Sequence, residues 1–214
     1  MAISLKKGQG VSLKKDEFDL SKVTIGLGWD VNEEKAGGLF GLFSKKPEEY
    51  DLDVVAFLLG ANGKVNDRGT TVDGRATLTN GDIVFFNSLN HHSGQILLTG
   101  DNRTGEGDGD DEQIIANLNQ MPDKYTRILF VVQIYNGKKL QQNFSKVQNA
   151  FIRAVDAKGK EMVRFDLSGD ASYANYCSLT FADLVREGSG NWKFNAIGTA
   201  HETDSFVHIL QNYI

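Results

Sequence analysis

The chain has 214 residues, 40% of them hydrophobic, with 28 acidic and 23 basic side chains and a sequence pI near 5.4. That length supports one domain with a real core, and the acidic balance argues against a dedicated nucleic-acid surface. No apolar run reaches the roughly 18 residues of a membrane span, the start MAISLKKGQGVSL lacks a signal-peptide core, and the single Cys177 cannot form an internal disulfide, which suits a reducing cytoplasm.

In chain order, Ile3 to Leu13 alternates around Lys6-Lys7-Gly8-Gln9-Gly10 and predicts a hairpin. Lys22 to Trp29 predicts a second strand ending at Asp30. Its Gly26-Leu27-Gly28 resembles a dinucleotide signature, but Val31 stands where the third glycine belongs and no helix pattern follows. Ala36 to Tyr50 reads as a loop or insertion. Its Leu39, Phe40, Leu42 and Phe43 are expected to pack back on the body, an exposed docking patch being the alternative.

Asp51 to Leu59 predicts a central strand, apolar on both faces after Asp53. Asp51 and Asp53 are two residues apart, so both carboxylates are expected on one face, about 6.6 Å apart along the strand. Asn62-Gly63 predicts a hairpin turn, Val65 to Thr79 is polar and irregular, and Ile83 to Phe86 is a short buried strand ending at Asn87. His91-His92 is the one adjacent histidine pair. On a strand the two would face opposite ways, with no cysteine or third histidine near, which argues against zinc.

Gln95 to Thr99 leads into the most unusual stretch, Asp101 to Glu112 (DNRTGEGDGDDE). Six carboxylates (Asp101, Glu106, Asp108, Asp110, Asp111, Glu112) and Arg103 give it a charge of −5, equal to that of the whole chain. Like charges this dense repel unless something positive sits among them. Gly105, Gly107 and Gly109 let the backbone fold back and present carbonyls. Carboxylates, carbonyls and a pliable loop suit calcium, which takes six to eight oxygens; a solvated acidic loop is the plainer alternative. An EF-hand does not fit, because Arg103, Gly105 and Glu106 occupy its third, fifth and sixth positions.

Beyond the acidic run, Ile114, Ala116 and Leu118 alternate, and Met121 to Lys124 is a turn. Ile128 to Tyr135 is the most apolar stretch and predicts a core strand. Asn143 to Asn149 predicts one or two helical turns. Phe151 to Val155 and Met162 to Leu167 predict strands joined through Lys158-Gly159, and Ser178 to Val185 and Trp192 to Ile197 predict a hairpin. Phe206, Ile209, Leu210 and Tyr213 recur at helical spacing. About ten short strands with little helix predict an all-β fold, an antiparallel β-sandwich with a few short helices, one near the C-terminus.

GLGWD (26–30), DLD (51–53), GDNRTGEGDGDDE (100–112), QNFSKVQNAFIRAVD (142–156), RFDLS (164–168) and GNWKFNAIG (190–198) together resemble the TerD family of tellurite-resistance and stress proteins. The resemblance covers most of the chain. It implies one calcium-binding β-sandwich domain over residues 1–214, with longer segments than short family members at about 36–50 and 65–82 and an ending after Gly198 that departs from the common one. It implicates Asp101, Asn102, Glu106, Asp108, Asp110, Asp111 and Glu112, with Asp30, Asp51 and Asp53 and, more remotely, Asn87, as metal ligands.

No nucleophile elbow, Ser or Cys with a local His signature, or phosphate loop is present in the sequence. Cys177 reads as a reduced core or half-buried residue, and a lone cysteine does not suit two-electron reduction. The expectation is a cytoplasmic, non-enzymatic calcium-loaded scaffold or sensor of the tellurite and general stress response. It would act through other stress-response and tellurite-resistance proteins, with any membrane association through those partners and no direct nucleic-acid contact. The alternative is a metal-dependent enzyme, or a binder of a nucleotide-type ligand, using the same acidic cleft.

Overall fold

The computed structural model describes residues 2–30, 50–99, 109–167 and 171–214. The segment bearing Leu39, Phe40, Leu42 and Phe43 therefore lies outside the described residues, as do Asp101, Asn102, Glu106 and Asp108.

Two six-stranded sheets face each other. The first is built from β1 (Ile3–Leu5), β3 (Val23–Asp30), β8 (Ile96–Leu98), β9 (Glu112–Ala116), β11 (Gln148–Val155) and β12 (Glu161–Asp166), in the order β1-β12-β11-β3-β9-β8. The second is built from β2 (Gly10–Leu13), β4 (Leu52–Leu59), β7 (Ile83–Val84), β10 (Arg127–Ile134), β13 (Ser178–Arg186) and β14 (Trp192–His201), in the order β2-β14-β13-β10-β4-β7. The remaining pair, β5 (Thr71–Val72) and β6 (Arg75–Ala76), is a small exposed hairpin within the 65–82 segment. The expected sandwich is thus formed, and its pairings are antiparallel except for β1 with β12.

Alternation decides which side chains meet between the sheets. Val23, Ile25, Leu27 and Trp29 of β3 and Ile114 and Ala116 of β9 pack against Val54, Ala56 and Leu58 of β4 and Ile128, Phe130 and Val132 of β10. The other face of β4 and β10 is also buried. There Val55, Phe57, Leu59, Leu129 and Val131 lie under Phe206, Ile209 and Leu210, which belong to the C-terminal helix. That helix is α2 (Phe206–Leu210), the first being α1 (Gly137–Leu140). A strand covered on both sides reads as a continuous apolar run, as the sequence of β4 does.

Two local expectations change. Ile3 to Leu13 is not a hairpin: β1 joins the first sheet beside β12 and β2 joins the second beside β14. The turn between them, with Gln9 N bonded to Lys6 O and Gly8 at φ +82°, lets Gly8 N bond to Ala196 O across the sandwich edge. Each half of this segment finds a longer partner in the body than the other half could offer. Likewise Asn62-Gly63 forms a tight turn after β4, with Gly63 N donating to Gly60 O, but no hairpin follows. Val65 N instead donates to Tyr213 O, and β7 is the strand that pairs with β4. Of the predicted helical turns at 143–149, Phe144–Lys146 forms one 3-10 turn, capped by the Asn143 side chain, before β11 begins.

Candidate metal-binding site

The register brings the acidic segments to one end of the sandwich. Leu27 lies opposite Glu112, so the end of β3 carrying Asp30 meets the start of β9. Glu112 in turn reaches across to Val54, near the start of β4, where Asp51 and Asp53 lie. Three segments far apart in sequence thus converge: Gly26–Asp30, Asp51–Val54, and the 109–112 end of the acidic run.

The side chains on that rim point in different directions. Asp110 turns to the outer face of the first sheet, where Oδ1 accepts from Arg153 Nε at 2.7 Å and Oδ2 from Gln113 Nε2 at 3.3 Å. Its carboxylate lies against Gly26, where a Cβ would come within 2.1–2.3 Å of it. This close approach explains a glycine in GLGWD better than any nucleotide phosphate does. Arg153 also donates to Glu161 Oε2 at 3.0 Å, and these carboxylates, the Asp110 bond first, push its pKa above the ordinary arginine value. Arg153 has no place in the sequence-derived ligand set; an arginine alternating with apolar residues in FIRAV is the signal that something anionic lies on that face.

Asp111 continues the ladder instead: its N–H donates to Leu27 O at 2.8 Å and its Oδ2 accepts from Trp29 N at 2.9 Å. Glu112 points between the sheets, is 2% exposed, and accepts Val54 N at 2.6 Å through Oε2. Asp53 is buried on the far side of the second sheet, against α2. Its Oδ2 accepts from Gln133 Nε2 at 2.9 Å, and Gln133 Oε1 accepts from Phe206 N at 2.7 Å. Asp53 therefore helps orient the group that caps the C-terminal helix. Asp51 precedes β4, half-buried, with its carbonyl accepting from Tyr135 N at 2.8 Å. Asp30 is exposed and accepts from Asn149 Nδ2. Asn87 is exposed in the turn that Phe85 and Ser88 close by two backbone hydrogen bonds.

The described part of the site is thus a rim of carboxylates at one end, with Asp110, Glu112 and Asp53 on three different faces. The donors are hard oxygens, as calcium requires. Accepting one N–H does not disqualify a carboxylate, which offers about four lone-pair positions.

Two further observations bear on chemistry. Cys177 is buried, donates to Gln142 O at 3.1 Å, and burial raises its pKa, so the thiolate is disfavoured. His91 and His92 lie in a turn closed by Gly94 N to His91 O at 2.9 Å, not on a strand. Their rings therefore lie side by side, with centroids 4.1 Å apart and planes tilted by 36°, rather than opposed. No helix among the described residues is long and apolar enough to cross a membrane.

Comparison with known proteins agrees with this architecture. The family model described as the TerD domain matches residues 1–213. The chain is 65% identical over 214 residues to the tellurium resistance protein TerX of Serratia marcescens, covering all of both chains. It is 37% identical over 203 residues to general stress protein 16U of Bacillus subtilis, covering 94% of this chain and 92% of that one. A crystal structure of a telluride-resistance-protein homologue from Streptomyces coelicolor shares the fold, with a TM-score of 0.59 at 20% identity over 87% of this chain and 94% of that one. With the sandwich and the GLGWD–Asp110 packing in place, the chain belongs to the TerD family of tellurium-resistance and stress-response proteins.

Proposed function

We propose that this protein is a non-enzymatic calcium-binding scaffold or sensor of the tellurium and general stress response, working in the cytoplasm through protein partners of the same response. The observation that supports this most is the convergence of three acidic segments on one end of the sandwich, at the two ends of the Glu112–Val54 hydrogen bond. That arrangement sets the described end of the acidic run, Asp110 to Glu112, at the same end of the sandwich as Asp30 and Asp51. Asp101, Asn102, Glu106 and Asp108 would supply most of the ligands, with Asp111 and Asp30 contributing at the rim. Calcium there would neutralise the run and order the surface that a partner reads.

The test is a pair of melting curves, in calcium and in EGTA, on the full chain. Binding to the folded form alone stabilises by about 4 kcal/mol at a thousandfold excess over Kd, which for this size raises Tm by roughly 8–16 °C. Asp108→Asn should remove most of the gain and Asp73→Asn, in the exposed β5–β6 hairpin, none of it. Superimposed curves, or equal effects of the two variants, would refute calcium binding. A pull-down that is indifferent to EGTA would refute the sensor role while leaving binding intact.

A further inference from the structure

A second constellation lies away from the acidic rim. Asp82, immediately before β7, and His91 are 1% and 2% exposed, while His92 is open to solvent. Tyr125, just before β10, is fully buried beside them. We propose that Asp82, His91 and His92 form a binding site for one divalent transition-metal ion of the zinc class, with Tyr125 beside it as a hydrogen-bond donor to Asp82.

The geometry carries this reading. One ligand atom from each of Asp82, His91 and His92 falls within 4.8 Å of the others, the sole such group among the described residues. Asp82 Oδ1 to His91 Nε2, Tyr125 Oη to His91 Nε2, and Tyr125 Oη to His92 Nε2 are each 3.4 Å. These distances are long for hydrogen bonds, whose favoured range ends at about 3.2 Å for N–H···O. The Asp82–His91 separation matches the edge of a tetrahedron around zinc, about 3.3 Å for bonds near 2.05 Å, while the Tyr125 hydroxyl, bonded to Asp82 Oδ1, stands beside it. Both imidazoles turn Nε2 toward the same phenol oxygen, so the two ring nitrogens converge beside Asp82.

The outer contacts are also those of a metal site. Asp82 Oδ2 is held by Asp67 N at 2.9 Å, and Tyr125 donates to Oδ1. His91 Nδ1 accepts from the Ser93 backbone N–H at 3.1 Å and lies 2.8 Å from Ser93 Oγ. Metal on Nε2 would place the imidazole proton on Nδ1, where it is donated to Ser93 Oγ in place of the bond that Nδ1 accepts from Ser93 N–H, so the ring stays neutral. Such partners fix ring orientation and raise ligand basicity. Two imidazoles and one carboxylate favour zinc and its neighbours over calcium or magnesium. His92, at the surface, is the entry point. The ion would pin together the end of the 65–82 segment, the 91–94 turn and the start of β10.

The test uses the full chain with calcium saturating throughout, so that hard-oxygen sites are filled and the result does not depend on the calcium reading. Zinc is followed by Tm and by imidazole nitrogen NMR, and cobalt(II) by its visible bands. One ion should bind per chain, move the Nε2 resonances of His91 and His92, give the intense bands of four-coordinate cobalt, and raise Tm by about 5–10 °C at a hundredfold excess over Kd. His92→Gln changes an exposed side chain and should weaken binding at least tenfold. His208→Gln, at the far end of the chain, should leave it unchanged. A metal-free hydrogen-bond network predicts no Tm gain and unmoved Nε2 resonances. That result, or an equal response in His92→Gln, overturns the proposal.

Discussion

Glu112 Oε2 accepts the backbone N–H of Val54 at 2.6 Å, joining the first strand after the acidic run to the central strand of the opposite sheet. A carboxylate inserted between two sheets is costly unless its charge meets a donor. Here the donor is a strand N–H, and the bond sets the spacing at the end of the sandwich where the other carboxylates collect.

Replacing Glu112 by Ala should leave Val54 N buried without its partner and destabilise the fold by about 1–3 kcal/mol. Glu112→Gln keeps an acceptor and should cost less. Urea unfolding in EGTA checks this without interference from metal; an alanine variant as stable as the parent would show that the Val54 bond contributes nothing net.

Gly26 and Asp110 make a second such pair. A methyl at Gly26 would collide with the Asp110 carboxylate, which Arg153 holds in place. Gly26→Ala should therefore cost about 1–3 kcal/mol. Asp110→Asn would weaken the Arg153 bond without the clash. Because the two changes act on one carboxylate, their effects should be non-additive, and a double-mutant cycle with strictly additive costs would contradict the contact.

His201 titrates with a definite sign. Burial holds its pKa below the ordinary 6.5, and its Nε2 lies 2.8 Å from Thr180 Oγ1. The unfolded chain therefore takes up a proton at a pH where the native imidazole stays neutral. Its contribution is complete above the ordinary value and is lost as pH falls from there through the native pKa. His201→Gln should flatten the stability profile across that acidic window, read by denaturant midpoints at stepped pH; an unchanged slope would place the pH response elsewhere.

Much of the fold was legible in the sequence because burial and side-chain alternation share a period. The doubly apolar run of β4, the alternation of β9 and the helical spacing of Phe206, Ile209 and Leu210 each predicted the faces they bury. Family membership was legible for a similar reason: GLGWD and the acidic run are local strings. Local signals were misleading where pairing is non-local. Ile3 to Leu13 has the pattern of a hairpin, yet β1 and β2 bond to strands more than 150 residues away. Within the acidic set, composition foretold the charge but not its direction. Adjacent residues of an extended chain point to opposite faces, so Asp110 meets Arg153 outside the first sheet while Glu112 meets Val54 between the sheets. The same holds for Asp82, His91, His92 and Tyr125. The histidine pair is conspicuous in its own stretch, but nothing local joins it to Asp82 or to Tyr125, which lies 43 positions after Asp82. The sequence alone determined which residues would be buried, which would carry charge and which family they make. Only the tertiary structure decided which of those charges and rings would meet, because strand register and turn geometry bring distant side chains together and no local pattern records them.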